Sequence, residues 1–487
     1  SVARQPPHRS PFVELIQEDF EIGGCEYARR RFFVAILRVF LLDWHSNLNR
    51  RNCSMKLHIV GAGGRAHASV WKLAQLDYVT SIVCAPGNAG ISMERLRNDE
   101  AVRCVPVLPT DIDGQLALAR ACEPHLTIVS EDEPLALGIV DLFQAAGLRI
   151  WGPNKSAARF EWSKVWAWEF MQRHGIPTPL SRPCDTWMNA LVFAQSLNYE
   201  CAIKLDGLAR GKGVFICRTQ GEVNAALCRI FLNREFGDAG KRVLVQKLVH
   251  GQELSLHFLC SGRSAVAFPS SKDHKRALEG DKGDMTGGMG TISPSPDINP
   301  ADYEKLAKGI IRPWLKGCEA EGIDFRGVLY PGVMLADEGP VVLEFNARFG
   351  DPETQAYLTR LQNDLRELMD LSLDGCEFPS GYLKWSNDTS VCVVMTAPGY
   401  PGKYEREKKI TGWSEAAEMP NVKIFHAGTA MKGDELVTND GRVLGVTAWA
   451  PDLNEARRRA YRAANLVKFE GGQHFRRDIG GPILNVS

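Results

Sequence analysis

The sequence predicts an α/β protein whose first layer is a parallel sheet, and three observations carry that expectation. From Lys56 onward, short apolar runs alternate with helical patterns. A proline-containing stretch, Gly175-Ile176-Pro177-Thr178-Pro179, then introduces short strands and helices with glycine-rich turns as far as Leu373. A polar patch, Ser386-Asn387-Asp388-Thr389, precedes a last segment of strands and one helix.

The elements follow in order. Leu57-His58-Ile59-Val60 reads as a strand entering Gly61-Ala62-Gly63-Gly64, and a helix continues through Trp71-Lys72-Leu73-Ala74. Thr80–Cys84, Leu126–Val129 and Leu148–Trp151 read as further strands, with helical patterns between them. Strand–helix alternation of this kind builds a parallel layer of roughly a hundred residues. One helix is expected from Phe160 to His174, and the proline stretch behind it reads as a stiff linker. The last segment is expected to carry strands Val391–Thr396 and Arg442–Ala448 and a helix Leu453–Leu466. No internal repeat or low-complexity tract is evident.

Composition sets the class. The chain has 487 residues, 44% hydrophobic and 24% charged, with Lys plus Arg equal to Asp plus Glu at 58 each. That length suffices for three or four domains with substantial cores, and the balanced charge removes any global electrostatic argument for nucleic acid or an anionic membrane. The 13 cysteines are scattered singly with no C-x-x-C pair, which reads as reduced thiols in a cytoplasmic protein. Residues 1–54 differ in character: Arg29-Arg30-Arg31 leads into the apolar stretch Phe32–Leu37, too short to span a bilayer. They are expected to form an extension outside the fold, with Met55 as the natural start. A short amphipathic helix docked on the body is the alternative.

Five regions can carry chemistry. In Val341–Arg348 the alternation of a strand would put Glu344, Asn346 and Arg348 on one face. A carboxylate, an amide oxygen and a guanidinium suit Mg²⁺ and phosphate, and a solvated structural ion pair is the plainer reading. Gly61-Ala62-Gly63-Gly64-Arg65-Ala66 follows a strand and opens a helix, so its amides can approach an anion. The second strand ends in Val83-Cys84-Ala85-Pro86 without the acid a dinucleotide site wants for ribose. Asp206-Gly207-Leu208-Ala209-Arg210-Gly211-Lys212-Gly213 lacks the Walker A spacing and its Ser/Thr. It reads as a glycine hairpin whose amides cover phosphates, with Lys204 and Lys212 as point charges. Val243–Glu253 is a strand ending in a turn, whose backbone could meet an adenine edge. Ser271–Arg276 and Asp281–Gly290 are dense in charge and glycine, as in a loop closing over an anionic substrate. His274 need not be a base, since nothing supplies the rest of a nucleophile triad.

Taken together these stretches resemble the ATP-grasp pattern, and more narrowly the phosphoribosylamine–glycine ligase family. The pieces that carry the likeness are His58–Ala68, Ala85–Gly90, Lys204–Val214, Asp273–Arg276, Thr286–Gly290, Leu343–Gln355, Gly399–Gly402, His426–Thr429 and Gly441–Leu444. The resemblance runs from Met55 to about Gly480. It implies an ATP-grasp fold between an N-terminal Rossmann-like parallel α/β domain and a C-terminal β-rich domain. The expected divisions are residues 55–155, 156–380 (small lobe about 181–246) and 381–487. It implies ATP, Mg²⁺ or Mn²⁺, glycine and 5-phosphoribosylamine as ligands, no nucleic acid or membrane partner, and a cytoplasmic monomer or weak homodimer.

Carried over by position, the resemblance makes Glu344 and Asn346 metal ligands. It puts Lys164, Lys204, Gly211, Lys212, Gly213, Gln246, Val249 and Glu253 around ATP. Gly63, Gly64, Arg65 and Asp351 fall to substrate, and Asp273, Lys275 and Arg348 to catalysis. Some positions depart from the family pattern: Ala66 stands where an acid is usual, Ser130-Glu131-Asp132 replaces Gly-Pro-Glu, and Arg210 replaces a small residue. Gln246-Lys247 replaces two acids, and Asp284-Met285 replaces Pro-Asn. Restoring an acid at 66 is expected to strengthen binding of the amine substrate. A related ligase for another amine or amino acid, and a non-catalytic nucleotide-binding paralogue, are the competing readings.

Overall fold

The computed structural model describes residues 54–208, 213–379 and 381–483, and from Met55 onward the chain forms one compact unit. Its first layer is a five-stranded parallel sheet in the order Arg103–Cys104, Val79–Pro86, Met55–Gly61, Leu126–Val129, Ile150–Trp151. Leu57 lies opposite Ile82 on one side and Leu126 on the other. Helices on both faces bury the central strands, which is why they read as unbroken apolar runs rather than alternating ones. The strand order reverses at Met55–Gly61, so the turns after it and after Leu126–Val129 open side by side at the carboxyl edge, where α/β sheets bind ligands. The strand expected over Leu148–Trp151 is only Ile150–Trp151.

The single helix expected over Phe160–His174 is two, Arg159–Trp162 and Lys164–Arg173. Ser163 breaks it. Its hydroxyl accepts from the Trp166 amide at 3.2 Å and donates to Asp206 Oδ1 at 2.8 Å. A serine that can satisfy a helix start outcompetes helix continuation, and the break places Lys164 at the first position of a new helix.

Two antiparallel sheets follow. The smaller is ordered Ser181–Cys184, Val243–Lys247, Cys201–Leu205, Val214–Cys217 and has its own core around Phe193, Ile203, Val223, Ile230 and Val245. The larger runs Gly251–Ser255, Arg326–Ala336, Phe258–Ser261, Ala265–Ala267, with Gly339–Asn346 also paired to Arg326–Ala336. Gly332 faces Glu344 but Val333 faces Val342, so Leu343 is an inserted bulge residue. The strand ends at Asn346, and Arg348 lies beyond it.

The last sheet is ordered Lys272–Asp273, Gly290–Ser293, Thr389–Thr396, Arg442–Ala450, Val422–His426. Helix Leu453–Leu466 lays Ala456, Ala460, Ala463 and Ala464 against it in one core with Val391, Val393 and Val446. Two of its strands precede residue 380 and three follow it, so the sheet itself fastens the expected central and C-terminal regions together. Among the described residues no helix is long and apolar enough to cross a membrane.

Candidate active site

The bulge at Leu343 organises the first half of the site. Its carbonyl, released from the ladder, accepts from Lys204 Nζ at 2.9 Å. One residue on, Glu344 Oε2 pairs with Lys164 Nζ at 3.0 Å. Burial works to raise the Glu344 pKa, but Lys164, Lys204 and Lys275 together hold the carboxyl well below its ordinary range. Lys204 is lowered to about 8, first by burial and further by the neighbouring Lys164 and Lys275, against the attraction of Glu344. Asn346 is buried; its amide nitrogen donates to the Tyr330 carbonyl at 3.3 Å and its oxygen accepts from Arg348 at 3.3 Å.

Arg348 is locked. Its guanidinium pairs with Glu161 at 2.8 Å and donates to the Phe349 carbonyl at 3.1 Å, while the second Glu161 oxygen accepts from the Ala347 amide at 2.8 Å. Burial pushes the Glu161 carboxyl up, and the Arg348 charge opposes it.

Lys275 leaves the end of Lys272–Asp273 and meets Glu253 at 2.7 Å. Glu253 is thereby bound to a lysine at the position where ribose contact is expected. Asp273 is buried, its carboxyl pushed well up by burial and by Glu353, and its Oδ1 has no hydrogen-bond partner among the described residues. Gly288, at φ +115°, packs on it: a Cβ there would lie 2.7 Å from Asp273 Oδ1 and 2.6 Å from Pro352 Cδ. His274 is structural. Its Nδ1–H donates to the Gly290 carbonyl at 3.0 Å, and burial, then Arg476, lowers it to about 4.

The glycine turn forms the other half. Helix Gly64–Ala74 starts behind Gly63, and a Cβ on Gly64 would lie 2.4 Å from Gln355 Nε2, which itself donates to Asp351 Oδ1 at 2.8 Å. Arg65 donates to the Phe349 carbonyl at 3.0 Å and pairs with Glu131 at 3.2 Å and Asp132 at 3.9 Å. Glu131 Oε1 also accepts from the Ala62 amide at 3.4 Å. Burial raises Asp351, but Arg442 and then Arg65 keep it below its ordinary range. Arg442 donates to the carbonyls of Gly287 at 2.7 Å and Asp351 at 2.8 Å.

The structure therefore brings Lys164, Lys204, Glu344, Asn346, Arg348, Lys275, Glu253 and Asp273 to one cleft, with Gly63, Gly64, Arg65 and Asp351 at its N-terminal wall. Gly211 and Lys212 lie outside the described residues. The Gly213 carbonyl accepts from the Leu205 amide at 2.8 Å. Gln246 is buried on the central strand of the small sheet, with Nε2 lacking a hydrogen-bond partner among the described residues; Val249 lies in the turn after it. Sequence reasoning missed Glu161, Glu131, Glu353 and Arg442 as members of the site. Arg442 stands inside a quoted motif; Glu161 sits in an undistinguished helix with no local signal.

A carboxylate and an amide oxygen on a bulged antiparallel strand, with lysines from a facing four-stranded sheet and a helix start, define an ATP-grasp enzyme. Models of three phosphoribosylglycinamide synthetase domains match the chain: the N domain over residues 55–161, the ATP-grasp (A) domain over 162–354 and the C domain over 390–482. The phosphoribosylamine–glycine ligase of Caldanaerobacter subterraneus subsp. tengcongensis is 40% identical over 425 residues, covering 87% of this chain and 99% of that one. That of Ralstonia nicotianae is 42% identical over 428 residues, 88% of this chain and 99% of its own. The crystal structure of the Thermotoga maritima phosphoribosylamine–glycine ligase superposes with a TM-score of 0.71 at 33% identity, covering 87% of this chain and all of that one. A biotin carboxylase domain from Hydrogenobacter thermophilus, TM-score 0.67 at 16% identity over 87% of this chain and 92% of its own, shares the fold alone. The chain belongs to the phosphoribosylglycinamide synthetase family, the ATP-dependent phosphoribosylamine–glycine ligases of purine biosynthesis.

Proposed function

We propose that this cleft joins glycine to 5-phosphoribosylamine through glycyl phosphate, with the roles as follows. The observation that carries the assignment is the convergence of Lys164, Lys204 and Lys275 on Glu344, which leaves an excess of positive charge even after Lys275 pairs with Glu253. Triphosphate fits that excess: Lys164 and Lys204, with Lys212 of the glycine hairpin and the Gly211 and Gly213 amides, bind its phosphates. Gln246 and Val249 face adenine, and the unpaired Gln246 amide supports this. Glu253 takes the ribose once Lys275 turns to substrate.

Glu344 and Asn346 offer two hard oxygens, each with capacity beyond its present partner, and these suit Mg²⁺ or Mn²⁺. Among the described residues no cluster of three or more His, Cys, Asp or Glu side chains forms a metal cage, so phosphate and water would complete the coordination. The ion would neutralise charge on the transferring phosphoryl group.

The chain's own residues align the reactants. Arg348, fixed by Glu161, orients the glycine carboxylate toward the γ-phosphorus; the new O–P bond forms as ADP leaves. Arg65 and the turn amides at Gly63 and Gly64, with Asp351, hold phosphoribosylamine so that its nitrogen attacks the activated carbonyl. The C–O bond to phosphate breaks, and the leaving phosphate takes up the proton lost by the amine. Asp273 and Lys275 flank that step. Positioning and charge stabilisation suffice, so no protein nucleophile is required.

Phosphate release against a panel of amino acids, with and without phosphoribosylamine, tests this reading. Glycine plus phosphoribosylamine should be fastest, and faster release with another pair would sink the substrate assignment. Rescue of a purine auxotroph lacking the ligase is the matching genetic test. The same reading divides the chain into regions 55–155, 156–380 and 381–487; the extension expected before Met55 lies outside the described residues, and removing 1–54 should leave the melting temperature and ATP binding unchanged.

A further inference from the structure

Lys275 is followed directly by an antiparallel hairpin, Arg276–Leu278 and Lys282–Met285. The Lys275 carbonyl accepts from both the amide and the hydroxyl of Thr286, each at 2.8 Å, so the two ends of the hairpin and Lys275 are clamped into one piece. From Leu278 to Asp284 every residue is exposed. An isolated two-stranded ribbon in water is marginal, so its orientation has to come from elsewhere.

That support is a segment almost two hundred residues away. His474 Nε2–H donates to the Ala277 carbonyl at 2.7 Å, and the Arg477 amide donates to Glu279 at 3.2 Å. Asp478 Oδ2 accepts from the Gly280 amide at 2.8 Å. Arg476 is the centre: only 1% exposed, it donates to the Arg276 carbonyl at 3.1 Å and pairs with Asp281 at 2.7 Å. Its Nε and Nη2 are both taken by Asp478, each at 2.8 Å. A planar fork can grip its own strand and the hairpin at once, which a lysine's single ammonium cannot do.

We propose that Arg476 is a positioning residue for the ligation: through this latch it orients the hairpin and so sets Lys275 on the substrate side of the cleft. The proposal rests on the assignment of the cleft made above. Arg476 touches no reactant; its effect passes through the Lys275 backbone.

Two variants test it, Arg476→Lys and Asp281→Ala; the second removes the exposed partner, so folding is secure even if the first variant does not fold. The melting temperature should be unchanged in Asp281→Ala and lower in Arg476→Lys. In both, the ATP KM should be unchanged and the KM for glycine or phosphoribosylamine raised on the order of tenfold, as for modest misplacement of a reacting group. Limited trypsin digestion of the unliganded protein should cut faster after Lys282 in both variants. Wild-type KM values and a wild-type cutting rate would overturn the proposal. So would a fall in melting temperature with all three KM values rising alike, which is what a merely structural role predicts. If wild-type protein shows no glycine-dependent phosphate release, the cleft assignment fails, while the digestion still decides whether Arg476 holds the hairpin.

Discussion

Around Glu344 three ammonium groups, Lys164, Lys204 and Lys275, share two carboxylates, Glu344 and Glu253, whereas around Arg65 one guanidinium meets the carboxylates of Glu131 and Asp132. The first region is left with surplus positive charge and Lys204 only partly willing to stay protonated. In the second the carboxylates already outnumber the guanidinium. A ligand rich in phosphate gains Coulomb energy from the first region. In the second it must displace or rearrange existing partners, so discrimination there comes from hydrogen bonds and shape.

The strongest way to break this contrast is Glu344→Ala. Removing the carboxylate should cut turnover by roughly two to four orders of magnitude, as for other groups that organise transition-state charge. Near-normal turnover in a folded variant would show that the surplus of lysines alone suffices.

The second test concerns the acid at the glycine turn. Ala66 is fully buried, and a Cβ on Gly61 would be 3.2 Å from both the Ala66 Cβ and Glu131 Oε1. The glycine turn thus already carries one acid, Glu131, which pairs with Arg65. Ala66→Glu would add a second. If the acid missing at 66 is what weakens phosphoribosylamine binding, the variant should bind it more tightly. It should also lose about 2 kcal/mol of stability by burying another carboxylate, with partial recovery on adding Glu131→Gln. Equal melting temperatures for wild type and Ala66→Glu would refute it.

The smallest effect is a pH dependence. Lys204 is charged below about 8 and neutral above, whereas an unperturbed lysine stays charged to 10.5. ATP affinity of the free enzyme should therefore fall as pH rises through 8, approaching tenfold per unit once binding requires the protonated form. Lys204→Arg keeps its charge and should flatten that profile; a profile unchanged by the substitution would remove Lys204 from phosphate binding.

The two regions also differ in how far the sequence reveals them. Glu344, Asn346 and the strand under them are legible because period-two alternation and the Glu-x-Asn spacing are local. The bulge at Leu343 is not, since it depends on which residues of Arg326–Ala336 pair opposite. Arg348 was expected on the strand face and lies past its end, yet its contact with Asn346 Oδ1 keeps the two together. The break at Ser163 was within reach, because a serine ahead of a helical run is a cap signal; its partner Asp206, some forty residues on, was not.

By itself the sequence determined the parallel first layer, its glycine turn and the family, because each is written in contiguous residues whose periodicity and spacing answer to short-range sterics. Only the tertiary structure decided that Glu161 fastens Arg348, that Glu131 supplies the acid beside Arg65, and that Arg476 reaches back to the hairpin behind Lys275. Those contacts join residues 187, 66 and 195 to 200 positions apart. Electrostatic partners at such separations are chosen by how sheets and helices pack, and no local pattern in the chain encodes that choice.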